Sequence, residues 1–226
     1  QEAHVIWDVE DIKLCKSIDN EENKKRLIDK HGSLMSNIIR SYKDEKIIEI
    51  YSAFPDLHFM TLDFKEEGDV IFLMGTSRSD INSSEYLHKI CGVEYSPAPY
   101  FDLEEEYTLQ KTLAAFIRKG LIRSAHDVSE GGLLTALLES GFHRGLGFQV
   151  RSGAPAVRRD AYWLGESQSR VVVTVSASSR KDFLAALGGF PCEELGSVTS
   201  GKVEVEGSDW GIIAAWKERY DGAIGG

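Results

Sequence analysis

LGESQSRVVVTV, residues 164–175, joins five polar side chains to a run that is β-branched almost throughout. Arg170 to Val175 reads as a strand, and it is the best central-strand candidate in the chain. Glu166, Ser167, Gln168, Ser169 and Arg170 stand immediately before it. Burying such groups is costly unless they bond to one another, to backbone or to a ligand. Glu166 and Gln168 lie on one side of an extended segment and can grip an amide or a ribose. Arg170 can meet a phosphate or close a salt bridge. The alternative is a purely internal polar network that holds two segments together.

Working outward, Val70 to Met74 (VIFLM) is continuously apolar and too short for a typical helix, so it reads as a second buried strand. Ser83 or Ser84 can cap a short helix carrying Tyr86 and Leu87 that Gly92 ends. Asp102 followed by Glu105 is a capping-box arrangement, and Leu109, Leu113, Phe116 and Ile117 then form one apolar face up to Gly120. Leu121 to Val128 is a strand, as is Phe148 to Arg151. Ser179 caps a helix bearing Phe183, Leu184 and Leu187. Lys202 to Glu206 alternates as a half-buried hairpin arm, and Ser208 caps a final helix with Ile213, Trp216 and Tyr220.

Between the strand ending near Val128 and the helix of Leu133, Leu134, Leu137 and Leu138 lies a turn through Ser129, Glu130, Gly131 and Gly132. Free N–H groups and the positive end of the helix favour a phosphate or carboxylate there. The alternative is a tight connection in which Ser129 caps the helix and the glycines permit close packing. His126 and Asp127 point to opposite faces of a strand, so they form no relay with each other. His126 reads as a hydrogen-bonded buried histidine. Asp127, at the carboxyl end of the strand, is the better candidate for contacting a cation or a ligand hydroxyl. Arg158, Arg159 and Asp160 read as an exposed loop. Glu104, Glu105 and Glu106 diverge by roughly 100° each and suit a helix N-terminus better than a metal.

Strands interleaved with helices predict an α/β or α+β fold, a mixed sheet with helices packed mainly on one face. Residues 1–55 differ in texture: Leu27, Leu34, Met35, Ile38 and Ile39 predict amphipathic helices with a break near Gly32, and Pro55 ends a second stripe. The chain therefore divides into a helical extension, residues 1–60, and an α/β domain, residues 61–226.

The 226 residues carry 26 basic and 36 acidic side chains, a formal charge of −10 that disfavours general nucleic-acid binding. Cys15, Cys91 and Cys192 are far apart and share no metal spacing, which predicts reduced thiols in a cytoplasmic protein. No apolar run approaches the roughly 20 residues a bilayer requires, and the N-terminus resembles no secretory signal. P-loop, GxSxG and HExxH motifs are absent from the sequence.

Five stretches in order, FKEEGDVIFLMG (64–75), SSEYL (83–87), DLEEE (102–106) after a proline-containing lead, SAHDVSEGGL (124–133) and LGESQSRVVVTV (164–175), resemble phosphoribosylformylglycinamidine synthase. The likeness is to the C-terminal domain of its second synthetase half, a domain shared with aminoimidazole ribonucleotide synthetase, and it spans about residues 60 to 220. The resemblance implies an ATP-dependent, Mg²⁺-requiring ligase of purine biosynthesis. Such a ligase converts formylglycinamide ribonucleotide to the amidine by phosphorylating the formyl amide oxygen and displacing it with ammonia from a glutaminase. It also implies an N-terminal nucleotide-binding domain and the glutaminase as partners. Asp127, Ser129, Gly131, Gly132, Glu166, Ser167, Gln168 and Arg170 become its candidate ligand or phosphate residues. Residues 1–55 lack the TPxIGM-like stretch that precedes this domain in the family, so the resemblance implies a fragment or truncated relative that is not active alone. A non-catalytic scaffold derived from the domain is the alternative. The spellings SAHDVSEGGL and LGESQSR favour the purine enzyme over selenophosphate synthetases and hydrogenase-maturation proteins.

Overall fold

The computed structural model describes residues 60–154 and 156–224. The helices expected in residues 1–55, and Cys15 with them, lie outside the described residues.

Seven strands form one sheet: β1 (Val70–Met74), β2 (Ser124–Asp127), β3 (Gly147–Val150), β4 (Val171–Val175), β5 (Cys192–Thr199), β6 (Lys202–Val205) and β7 (Ser208–Ile212). Their spatial order is β2-β4-β1-β5-β3-β6-β7. Every pairing is antiparallel except β3 with β6, so the sheet is mixed and the domain is α+β. β4 lies between β2 and β1, the interior position its β-branched run predicted.

The apolar strands explain where the helices go. Successive residues of a strand face opposite sides, so a strand apolar at every position must be covered twice. Ile71 and Leu73 pack with Leu133 and Leu137 of α2 (Gly132–Phe142), Tyr162 of α3 (Arg159–Leu164) and Ile213 of α5 (Ile213–Ile224). Phe72 and Met74 meet Leu109 and Phe116 of α1 (Leu103–Arg118) and Phe183 of α4 (Arg180–Ala186). Helices thus cover both faces, where the sequence had suggested mainly one, because VIFLM and VVVTV have no polar side to leave in water.

The start of α1 follows its capping signal: Asp102 is extended and accepts a hydrogen bond from the Glu105 amide at 2.9 Å. Ser84 Oγ accepts from the Leu87 amide at 3.2 Å and begins the short helical turn Tyr86–Ile90. Three local expectations are corrected. Ser176, and not Ser179, caps the turn before α4, accepting from the Ser179 amide at 3.1 Å. Ser208 begins β7 instead of capping a helix. Val205 pairs with Ser208 across Glu206 and Gly207, both left-handed with φ of 55° and 77°, and this is the two-residue turn of a tight hairpin. Arg159 and Asp160 open α3 rather than lying in a loop.

Candidate functional site

Glu166 gathers the site. Its Oε1 accepts hydrogen bonds from the Gly131 amide at 2.9 Å and from the Glu85 amide at 2.8 Å. Gly131 immediately precedes α2 and takes a left-handed φ of 79° without a side chain of its own to cap the helix. The carboxylate from 35 residues downstream therefore supplies the negative charge that the first turn of α2 attracts. Ser129 does not cap α2 with its hydroxyl. Its carbonyl accepts from the Gly132 amide at 3.0 Å.

Gly132 serves close approach. It is buried with φ of 73°, and a Cβ there would sit 2.7 Å from the Leu164 carbonyl carbon. The turn and the polar segment are thus pressed backbone to backbone just before β4. On the neighbouring strand Asp127 pairs with Val171, and the Val128 amide donates to the Arg170 carbonyl at 2.9 Å. Asp127, Ser129 and Gln168 are exposed at this end of the β2–β4 pair.

Arg170 turns away from solvent. Only 2% of it is exposed, and its guanidinium donates to the carbonyls of Gly165 at 2.6 Å, Tyr162 at 3.3 Å and Ser167 at 3.3 Å. Neither a phosphate site nor a salt bridge is built on it, since its donors are spent on backbone; burial lowers its pKa to about 10 and it stays charged at neutral pH. Ser167 is also buried, and its hydroxyl meets no partner among the described residues. Ser169 Oγ donates to Glu106 at 2.7 Å and ties the segment to α1.

His126 is held as a structural histidine. Its Nδ1 donates to the Ala136 carbonyl at 3.0 Å, and Nε2 lies 3.4 Å from the Glu139 carboxylate, which also accepts from the Tyr220 hydroxyl at 2.6 Å.

The structure therefore brings Glu166 to Gly131, and Gly132 to the backbone just before Glu166. It leaves Asp127, Ser129 and Gln168 facing water and assigns Ser167 and Arg170 to the interior. Sequence reasoning missed Glu85: its contribution is a backbone amide, whose only trace in the sequence is its place in SSEYL.

Three features weigh against a triphosphate at this turn. The amide that would cradle it already holds a carboxylate, the one arginine in the segment is engaged, and Glu85 and Glu130 add negative charge nearby. Among the described residues, no three His, Cys, Asp or Glu side chains stand close enough to hold a metal ion. No helix among them is long and apolar enough to cross a membrane.

Residues 66–208 match the family described as AIR synthase related protein, C-terminal domain. A phosphoribosylformylglycinamidine synthase subunit PurL from Thermoanaerobacter pseudethanolicus is 37% identical over 148 residues, which make up 65% of this chain and 20% of that protein. The chain thus spans about a fifth of the relative's length. Among solved structures, Thermotoga maritima PurL complexed with FGAR superposes with a TM-score of 0.59 at 17% identity, covering 71% of this chain and 29% of that one. The same protein complexed with ATP gives 0.56 at 17% identity, covering 71% and 27%. At that identity the likeness speaks to the fold.

Proposed function

The chain belongs to the AIR synthase related protein, C-terminal domain, family, and on that premise we propose that it serves as the C-terminal domain of an ATP-dependent carbon–nitrogen ligase of purine biosynthesis. The reaction is conversion of formylglycinamide ribonucleotide to formylglycinamidine ribonucleotide in the cytoplasm, with ammonia from a glutaminase component. One observation carries the reading. Glu85 of SSEYL, Gly131 of SEGGL and Glu166 of GESQSR, separated by 35 and 81 residues, meet on a single carboxylate oxygen.

In this reading Glu166 is a positioning residue. It orders the turn before α2 and the start of the Tyr86 helical turn, so that Asp127, Ser129 and Gln168 stand fixed at one end of the β2–β4 pair. These three side chains can hydrogen-bond the ribose hydroxyls or the amide of a ribonucleotide. The triphosphate of the ATP with which such a ligase works does not fit this turn, because the Gly131 amide already holds the Glu166 carboxylate. The PurL relative and the PurL structures with ATP and FGAR support the assignment.

The filled N-terminus of α2 also favours a second reading, a scaffold derived from this domain that has given up ligand contact. Titration calorimetry with formylglycinamide ribonucleotide, ATP and ADP, with and without Mg²⁺, separates the two. Saturable heat with the ribonucleotide, weakened by Asp127→Ala or Gln168→Ala, supports the ligase domain. Silence for every ligand supports the scaffold.

A further inference from the structure

Among the largest fully buried side chains of the described residues, Arg170 alone is charged. Taking a cation out of water is costly unless its donors are met. One short stretch of backbone meets them here. Nε donates to the Ser167 carbonyl, Nη2 to that of Gly165 and Nη1 to that of Tyr162. Gly165 and Ser167 are the chain neighbours of Glu166 on either side. The guanidinium therefore grips the peptide units that flank the residue on which the Gly131 and Glu85 amides converge.

The grip is anchored in the sheet. The Arg170 carbonyl accepts from the Val128 amide at 2.9 Å, which ties its backbone to the β2–β4 pair while its side chain reaches back over the turn. A planar fork meets two carbonyls at set angles, which the ammonium of a lysine does not do. The far end of the turn is held as well. Ser169 is left-handed with φ of 60° and its Oγ donates to Glu106 at 2.7 Å, and Gly75 comes so close that an added Cβ would collide with the Ser169 carbonyl oxygen. Gln168 lies between these two holds with its side chain exposed.

We propose that Arg170 is a positioning residue for the candidate site. By holding the carbonyls on either side of Glu166, it sets where that carboxylate meets the Gly131 and Glu85 amides and where Gln168 stands. What concerns Gln168 rests on the ligase-domain reading, in which Gln168 contacts the ribonucleotide. What concerns Glu166 stands on the geometry alone.

The test reads amide exchange by NMR on the full chain. In Arg170→Met, which keeps an unbranched side chain without donors, the Gly131 and Glu85 amides are expected to exchange at least about tenfold faster than in the wild type. The Phe64 and Val198 amides, bonded to the carbonyls of Ser140 and Asp69, keep their rates. Arg170→Lys, which keeps the charge without the fork, gives a smaller rise at the same two amides and is read in its place if Arg170→Met does not fold. In a Glu166→Ala background Arg170→Lys leaves the Gly131 rate where Glu166→Ala alone puts it, the mark of a residue that acts through Glu166. Unchanged rates at Gly131 and Glu85 in a folded variant overturn the proposal. So does an equal rise at all four amides, which makes Arg170 a residue of the core alone. Calorimetry with formylglycinamide ribonucleotide reads Gln168: Arg170→Lys is expected to weaken binding at least about fivefold, and undiminished binding overturns that half of the proposal. Silence from the wild type instead refutes the ligase-domain reading, while exchange still decides the role at Glu166.

Discussion

The Glu166 carboxylate is 2.9 Å from the backbone nitrogen of Gly131, although 35 residues separate them in the chain. Because the same oxygen also holds the Glu85 amide, removing it frees two donors at once. Glu166→Ala is expected to destabilise the fold by about 2 kcal/mol, and Glu166→Gln, which keeps an acceptor, by about 1 kcal/mol. Urea midpoints measure both, and an unchanged midpoint for Glu166→Ala would show that the junction contributes nothing.

Gly132→Ala combines a left-handed φ with a backbone collision at Leu164. It should cost at least about 2 kcal/mol. Gly120→Ala is the control, with φ of 62° but open space around the added methyl, and about 1 kcal/mol is expected there. Similar losses at the two positions would mean that conformation alone, without close packing, fixes Gly132.

Asp102→Ala removes the side-chain acceptor of the Glu105 amide at the start of α1. A loss of about 1 kcal/mol is expected, and Asp102→Asn should recover most of it. Denaturant curves of the pair decide whether the cap or the negative charge matters.

Burial pushes the Cys192 thiol up to about 12, well above its ordinary value, whereas Cys91 is exposed. At pH 8 native protein treated with iodoacetamide should label Cys91 at least about tenfold faster than Cys192, with the difference vanishing in urea. The sign for stability follows from the raised pKa. The contribution of Cys192 is whole below about 9 and is lost as pH rises through about 12, so Cys192→Ser should flatten the alkaline limb of the stability profile. Equal labelling in the native state would contradict this burial.

The parts of the fold legible in the sequence are those where one segment alone carries the signal. VIFLM and RVVVTV declared themselves through unbroken apolar character, and Asp102 with Glu105 through spacing. β5 (Cys192–Thr199) was missed because its acidic start hides it: Glu193 accepts from the Tyr162 hydroxyl at 2.6 Å and Glu194 from Arg180 at 2.8 Å, so charges that look solvated are structural. Gly196 interrupts its pattern further, next to the bulge opposite Ile71 and Phe72. The arm Lys202–Glu206 is legible as half of a hairpin, but Ser208 before an apolar stretch has the signature of a helix cap, and only the pairing of Val205 with Ser208 makes it the start of the second arm. At the site, Glu166 stood out as a polar residue in need of partners. Which partners it takes was not legible, because backbone amides look alike in every sequence and only the fold brings two of them to one carboxylate.

Turnover by a chimera is the most direct measure of the proposed role. Residues 66–208 would replace their counterpart in the Thermoanaerobacter pseudethanolicus PurL subunit, and ATP-dependent formation of formylglycinamidine ribonucleotide from ammonia would be followed. The expected result is turnover by the chimera that falls at least about tenfold with Glu166→Ala and recovers in part with Glu166→Gln. A folded chimera with no turnover, beside an active parent subunit, would contradict a ligase role for this domain.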